Sequence, residues 1–349
     1  MNIKSEINAF RRTLMHRLTK NIGTSHFNPD TDLTKVEIKK ILICRPNPRL
    51  GNQLLITPLV QEVIATFPQC EIDLFVNGGL AAIVFKNYKN VKRIIQLPRK
   101  PFKELVKYFK GWLSLKKHPY DIVINVVENS SSGRLSAQFV NSKFKFFGDD
   151  VDDIKSKYQD YEHIAKYPVY NFRHYLTKLG FKENDNPVPS LNLLLSASEI
   201  TEGQKVLQSI IKNDKKTICI FTFATGDKCY SESWWEPFYE RLKKEYPDYN
   251  IIEVLPVENV SQIGFKAPTF YSKDVREIAS LISNTKVFIG ADSGIMHLAS
   301  SAQTPTVGLF SRDNINMYAP YDNNSVAINT NTNSIDDYIK VVDGILKKK

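Results

Sequence analysis

The sequence predicts an α/β protein with two Rossmann-like domains, each built on a parallel sheet, facing each other across a cleft. Short apolar runs alternate with segments of helical periodicity from residue 39 onward, the pattern of parallel sheets covered on both faces. A length of 349 residues suits two domains. Residues 183–190 are polar with two prolines, as in a linker. We therefore predict a basic N-terminal helix and linker (1–38), a first domain (39–185) and a second domain (186–349), with the last helix free to pack back on the first domain.

Composition and charge exclude several classes of protein. The chain is 42% hydrophobic and 24% charged, and no apolar run approaches the roughly 20 residues of a membrane-spanning helix. It also lacks a signal peptide, which predicts a cytoplasmic location. The cysteines are widely spaced and no H-E-x-x-H motif is present, so reduced thiols are expected and a bound metal is not. The cysteines are Cys44, Cys70, Cys219 and Cys229.

The net charge of +10 is concentrated in two segments. Residues 92–117 carry nine Lys or Arg against Glu104 alone. Residues 1–20 form a basic amphipathic pattern with apolar positions at helical spacing, which could lie on the inner leaflet of a membrane or dock on its own protein. The apolar positions are Ile3, Ile7, Phe10, Leu14 and Leu18. No nucleic-acid-binding motif is present, so the excess favours a phosphorylated acceptor and a membrane surface over nucleic acid.

In the first domain, polar residues follow two predicted strands, 41–44 and 121–127. One helix is predicted over 52–66, with Pro58 kinking it or lying near its first turns. Ligands of such sheets bind beyond the carboxyl ends of the strands. The residues placed there are Asn47, Arg49, Gly51, Asn52, Gln53, Glu128 and Asn129.

In the second domain, the segment 286–310 predicts a strand, a small-residue turn, a helix and a second strand. Asp292 or Ser293 would cap the helix, and its N-terminal N–H groups would bind an anion such as a nucleotide phosphate. Alternatively, Gly290 and Gly294 serve only close packing of helix on sheet. Ser233, with Glu236 three residues later, predicts a capping box at the start of another helix.

Three stretches resemble glycosyltransferase family 9, the heptosyltransferase family, which has the GT-B fold: RPNPRLGNQLLITPL (45–59), ATGDKCYSESWWEPFYERL (224–242) and GADSGIMHLASSAQTPTVGLF (290–310). The resemblance covers residues 39–345. It implies an inverting, metal-independent transferase without a cofactor. Such an enzyme moves a heptose-like sugar from a nucleotide-diphosphate donor, usually ADP-heptose, to a lipopolysaccharide-core or other cell-surface glycan. The enzyme would be peripheral on the inner face of the cytoplasmic membrane, with acceptor bound by the first domain and donor by the second.

The resemblance also implies roles for individual residues. Lys228 would neutralise the leaving diphosphate, and His297 would reach the diphosphate or the sugar. The donor-binding residues implied are Thr225, Lys228, Glu258, Asp292, Ser293, Gly294 and His297. One position departs from the family, which usually has Asp directly after the glycine of the first loop as the presumed general base. This chain has Asn52 there, and an amide cannot accept the proton.

Two hypotheses follow from this departure. In the first, Glu128 acts as the base and Asn52 orients the acceptor hydroxyl or caps its helix. In the second, the chain is a degenerate GT-B protein that binds nucleotide sugar or glycan without turnover. A sugar-nucleotide epimerase of similar fold is a third alternative, for which the sequence shows no motif.

Overall fold

The computed structural model describes residues 22–23, 25, 32–99, 103–149 and 151–347. These residues form two compact units. The first comprises the described residues up to Pro48 together with Pro58–Pro189 as far as described, and the second comprises Arg49–Thr57 and the described residues from Ser190 onward. The basic helix predicted over residues 3–18 lies outside the described residues.

The first unit is built on a five-stranded parallel sheet in the order β3-β2-β1-β4-β5. Its strands are β1 (Lys40–Arg45), β2 (Glu71–Asn77), β3 (Val91–Leu97), β4 (Tyr120–Asn125) and β5 (Ser142–Phe146). Ile41 of β1 pairs with Ile72 and Ile122, and all three side chains are fully buried. The apolar runs that predicted these strands therefore form the interior of a sheet that is covered on both faces.

Helices follow the strands of the first unit in the alternating order that the sequence predicts. They are α2 (Thr57–Thr66), α3 (Leu80–Val84), α4 (Leu105–Leu115), α5 (Ser131–Phe139), α6 (Asp152–Lys157) and α7 (Tyr167–Lys178), while α1 (Leu50–Leu54) belongs to the second unit. The single helix predicted over 52–66 is wrong. Pro58 is the second residue of α2, where its missing N–H costs no intrahelical bond, and a turn at residues 55 and 56 separates α1 from α2.

The second unit is built on a six-stranded parallel sheet in the order β11-β10-β9-β6-β7-β8. Its strands are β6 (Thr217–Phe221), β7 (Asn250–Val254), β8 (Thr269–Phe270), β9 (Val287–Ala291), β10 (Thr306–Phe310) and β11 (Val326–Asn329). The fully buried Trp235 and Phe238 pack in its core. Two parallel α/β sheets confirm the predicted fold class.

The helices of the second unit show where the sequence reasoning failed. They are α1, α8 (Ala197–Ile211), α9 (Glu232–Glu245), α10 (Val275–Ile282), α11 (Gly294–Ser301), α12 (Ile315–Tyr318) and α13 (Ile335–Leu346). Ser233 is not the cap of α9, because Ser231 accepts the N–H of Trp234. Helix α8 was missed although Ser196 and Glu199 form a capping box at its start. Asp274 caps α10, its side chain accepting the N–H of Arg276.

The four cysteines are free thiols. Burial raises the pKa of the Cys44 thiol to about 12, so the thiol stays protonated and unreactive at neutral pH. Across the described ranges, none of the helices combines the length and the hydropathy that crossing a bilayer requires.

Candidate functional site

The candidate site lies at one edge of the second sheet. Strands β6, β7, β9 and β10 are parallel, so their carboxyl ends meet at the same edge. The segments that follow these strands carry, in chain order, Lys228, Glu258, the turn 292–297 and Asn314. Residues far apart in the sequence therefore line one edge of one sheet.

The turn after β9 has the strand, cap and helix arrangement that the sequence predicts there. Ser293 is extended (φ −150°, ψ 169°) and caps α11, its hydroxyl accepting the N–H of Met296 at 3.2 Å. This confirms Ser293 as the cap and leaves Asp292 another role. The cap satisfies Met296, while the first N–H groups of a helix have no intrahelical acceptor. The start of α11 therefore presents N–H groups and the positive end of the helix dipole at this edge.

Lys228 is held against this turn by Asp292. Its Nζ donates to the backbone carbonyl of Asp292 at 2.7 Å and lies 3.2 Å from the carboxylate Oδ2. Asp292 is 6% exposed. Lys228 ends a 3₁₀ turn that begins at Gly226, whose φ of +72° favours glycine. The cation is thus placed beside the amino end of α11 before any ligand arrives.

Asn314, which follows β10, was missed by the sequence reasoning. Its Nδ2 donates to Asp292 Oδ2 at 2.9 Å, so Asp292 is held by a cation and an amide together. The Oδ1 of Asn314 is buried and has no hydrogen-bond partner among the described residues. Its place after a parallel strand, at the same edge as Asp292, is the signal that could have identified it.

His297 lies in the first turn of α11, 4% exposed, and faces helix α1. A Cβ at Gly51 would lie 3.0 Å from Cδ2 of His297, and one at Gly294 would lie 3.4 Å from the backbone N of Gly51. Two glycines therefore permit a close approach of α1 and α11. Asn52 directly follows Gly51 and belongs to the second unit, as do Lys228 and Asp292.

A buried carboxyl group ties together the loops that follow β6 and β7. Glu253 is fully buried and accepts from the hydroxyls of Thr222 at 2.6 Å and Ser261 at 2.7 Å. Burial raises the pKa of Glu253. This network fixes the strand ends from which the segments carrying Lys228 and Glu258 emerge.

The remaining predicted site residues are Thr225, Glu258 and Glu128. Thr225 is exposed and precedes the 3₁₀ turn. Glu258 is exposed in a turn after β7, which is two positions from β9 in the sheet. Glu128 belongs to the first unit, half-buried in a turn after β4, where its Oε2 accepts from Asn129 Nδ2 at 3.5 Å.

A helix amino end and a lysine at the carboxyl edge of a parallel sheet are the features of a nucleotide-phosphate site on a Rossmann-like unit. Comparisons with known proteins show a family resemblance in the same part of the chain. Residues 273–340, which include the turn 292–297, match the sequence model of glycosyltransferase family 9 (heptosyltransferase). Lipopolysaccharide heptosyltransferase 3 of Escherichia coli is 20% identical over 297 residues, which cover 79% of this chain and 85% of that protein.

Solved structures agree on the fold. A glycosyl transferase family 9 protein from Veillonella parvula superposes with a TM-score of 0.70 at 16% identity, over 89% of this chain and 98% of its own. The heptosyltransferase WaaC of E. coli with ADP gives 0.63 at 14% identity, over 88% and 99%. The resemblance of this chain to glycosyltransferase family 9 is thereby confirmed, and its fold is GT-B-like.

Proposed function

We propose that this chain is an inverting, metal-independent glycosyltransferase. It moves a heptose-like sugar from a nucleotide-diphosphate donor to a lipopolysaccharide-core or other cell-surface glycan. The observation that carries the proposal is the Lys228–Asp292 pair beside the amino end of α11. ADP-heptose is the first donor to test, because WaaC structures contain ADP and an ADP-fluoroheptose. The lipid-linked acceptor would bring the enzyme to the inner face of the cytoplasmic membrane.

The proposed chemistry needs charge stabilisation on the leaving group. As the bond from the anomeric carbon to the diphosphate oxygen breaks, negative charge grows on the β-phosphate. Lys228 would share its ammonium protons between Asp292 and that phosphate, and the N–H groups at Gly294 would donate to it. Fixed donors of this kind lower the barrier because they are already oriented when the charge develops. His297 would contact the diphosphate or the sugar, and Glu258 the ribose or base.

The acceptor hydroxyl needs a base. Glu128 is the carboxylate that we propose for this role, and Asn52 would orient the hydroxyl. An inverting transfer requires the base to take the hydroxyl proton as the new glycosidic bond forms on the face opposite the leaving diphosphate.

The test is a transfer assay with ADP-heptose and extracted lipid-linked core glycan. It follows the release of nucleoside diphosphate together with the mass of the glycan. We expect turnover in the presence of EDTA, loss of turnover in Lys228→Ala, and normal turnover in Lys243→Ala, an exposed lysine of α9 paired with Glu240. If no nucleoside diphosphate or nucleotide sugar stabilises the folded chain, the proposal is wrong.

Asn52 supports a second candidate function, a degenerate transferase that binds nucleotide sugar or glycan without turnover. The same assay separates the two. Transfer that survives Asn52→Ala and disappears in Lys228→Ala rejects the degenerate form. Donor binding without transfer to any glycan offered supports it.

A further inference from the structure

Helix α4 of the first unit exposes an apolar stripe. Ten large apolar side chains are exposed in the described part of the chain, and four of them lie on this helix. They are Leu105 (49%), Val106 (68%), Phe109 (60%) and Leu113 (60%). At 100° per residue, their positions fall within an arc of about 100° on one face. A contiguous apolar face of this kind marks an interaction surface.

The opposite face of α4 packs against the first unit. Leu115 is fully buried, and Trp112 meets the ring of Phe75 edge-on at 5.3 Å. Gly111 lets the helix approach β3, since a Cβ there would lie 2.8 Å from Leu97. The exposed stripe therefore lies on the outer face of a helix whose inner face packs against the first unit.

The stripe is bordered by cations. The exposed lysines on and next to α4 are Lys103, Lys107, Lys110, Lys116 and Lys117. Glu104 is the one acidic residue between 92 and 117, and it pairs with Lys107. Lys116 lies 4.3 Å from the ring centre of Phe139, which extends the apolar surface. An apolar stripe with a lysine border is complementary to a surface that has an apolar interior beneath a layer of anionic groups.

We propose that α4 is a membrane-docking helix that lies in the plane of an anionic leaflet, with the stripe among the acyl chains and the lysines on the lipid phosphates. Charge disfavours two other occupants. A second copy related by a two-fold axis would set one lysine border against another. The N-terminal segment 1–20 carries five basic residues against one acid, the same sign as the border.

This inference rests on the proposed function only because that function places the reaction at a membrane. Lipid binding can be measured without any turnover. The full chain is sedimented with phosphatidylcholine vesicles with and without phosphatidylglycerol. The stripe variant is Leu105→Ser/Phe109→Ser/Leu113→Ser. Its control is Val257→Ser/Phe265→Ser, two apolar residues of the second unit with 68% and 53% exposure.

We expect the stripe variant to lower partitioning into anionic vesicles about tenfold or more, since each buried CH₂ group contributes to such binding. The control should stay within about twofold, the spread expected for a surface substitution away from the docking face. Lys103→Gln/Lys107→Gln/Lys110→Gln should weaken binding to anionic vesicles and leave the weak binding to neutral vesicles unchanged. Val106→Glu, at the most exposed stripe position, should act like the stripe variant while keeping the parent melting temperature.

Three results would overturn the proposal. The first is unchanged vesicle binding in a folded stripe variant. The second is loss of a dimer in that variant with vesicle binding intact, which would assign the stripe to a second copy. The third is loss of binding on deleting residues 1–20 while the stripe variant binds like the parent. Nucleoside-diphosphate binding, measured on the same proteins, reports separately on the proposed function and should be equal in all of them.

Discussion

The ammonium group of Lys228 donates to the backbone carbonyl of Asp292 at 2.7 Å and lies 3.2 Å from its carboxylate. The Lys228 side chain is 26% exposed and that of Asp292 is 9% exposed, so the cation stays accessible while its partner is nearly buried. The pair holds the ammonium group of Lys228 at the amino end of α11, where we propose that it also donates to the diphosphate.

Replacing Lys228 should lower the rate of transfer much more than it lowers the free energy of unfolding. Lys228→Ala should lower kcat/KM about 10²–10³-fold, the cost of one oriented donor to a developing oxyanion. Steady-state kinetics and urea unfolding of the same variant measure both effects. A variant with parent kcat/KM would contradict the role, and Lys243→Ala is the matched control.

Asn314 should act by positioning Asp292. Asn314→Asp places a second carboxylate beside Asp292 Oδ2, where an amide donates at 2.9 Å, so we expect about a tenfold loss of nucleoside-diphosphate affinity from the like charge. Asn314→Ala removes one hydrogen bond and should cost only about threefold, a few tenths of a kcal/mol up to 1 kcal/mol. Titration calorimetry gives both affinities. An Asp variant that binds as tightly as the Ala variant would contradict this positioning role.

We expect that a glycine at position 51 is required to make room for the ring of His297. A Cβ at Gly51 would lie 3.0 Å from Cδ2 of His297, so Gly51→Ala must displace the ring or the helix. We expect a loss of about 1–3 kcal/mol in the free energy of unfolding, the range for overpacking, together with weaker donor binding. Gly344→Ala is the control, because no atom lies within 4 Å of a Cβ there and the position is inside α13. That substitution should stabilise by about 0.5–1 kcal/mol. Equal effects at both glycines would contradict the close approach.

The base assignment is tested by a pair of substitutions. Glu128→Gln should lower kcat about 10²–10⁴-fold, the contribution of a general base, and leave nucleotide affinity unchanged. Asn52→Asp restores the carboxylate that the family usually has and should keep or raise activity. Full activity in Glu128→Gln would reject Glu128, and the base would then have to be another acidic residue.

The ion pair of Glu199 with Arg276 predicts a pH dependence of stability. Hydrogen bonding to Arg276 holds the pKa of Glu199 far below its ordinary value of 4.5, and the Arg276 side chain is 6% exposed. A lowered carboxyl pKa stabilises the folded state fully above the unfolded pKa and progressively less as pH falls below it. Glu199→Gln should therefore be destabilised by about 1–3 kcal/mol at pH 7 and by less at pH 3.

Urea midpoints at pH 7, 4 and 3 measure this difference. Glu202→Gln is the control, because Glu202 forms an exposed pair with Lys205 that should contribute less than about 1 kcal/mol. A gap between parent and Glu199→Gln that widens as pH falls would have the wrong sign.

The sequence was most informative where local chemistry decides the structure. The cap of α11 was predicted as Asp292 or Ser293, because a hydroxyl or carboxyl group directly before an apolar helical pattern can accept the first free N–H groups of a helix. The prediction of Ser233 as a cap was wrong because Ser231 has the same hydroxyl two residues earlier, and residue preference alone does not choose between the two. The turn between α1 and α2 was not predicted, although Pro58 lies in the first turn of its helix, which was one of the two predicted alternatives.

What the sequence could not show depends on contacts between distant residues. Gly51 was predicted in the first domain, but it approaches His297 within the second unit, and nothing in the sequence around Gly51 indicates this approach. Asn314 follows a predicted strand, but only the sheet order, with β10 next to β9, places it at the same edge as Asp292. The exposure of Phe109 and Leu113 could not be read from a pattern that suits a buried helix face equally well.

The most direct test of the central claim is a calorimetric titration of the parent chain and Lys228→Ala with ADP, AMP and adenosine, repeated with UDP and GDP. We predict that one nucleoside diphosphate binds much more tightly than its monophosphate and nucleoside, because both the amino end of α11 and Lys228 would contact the diphosphate. We also predict that this preference collapses in Lys228→Ala. Binding of no nucleoside diphosphate, or equal binding by parent and variant, would contradict the account.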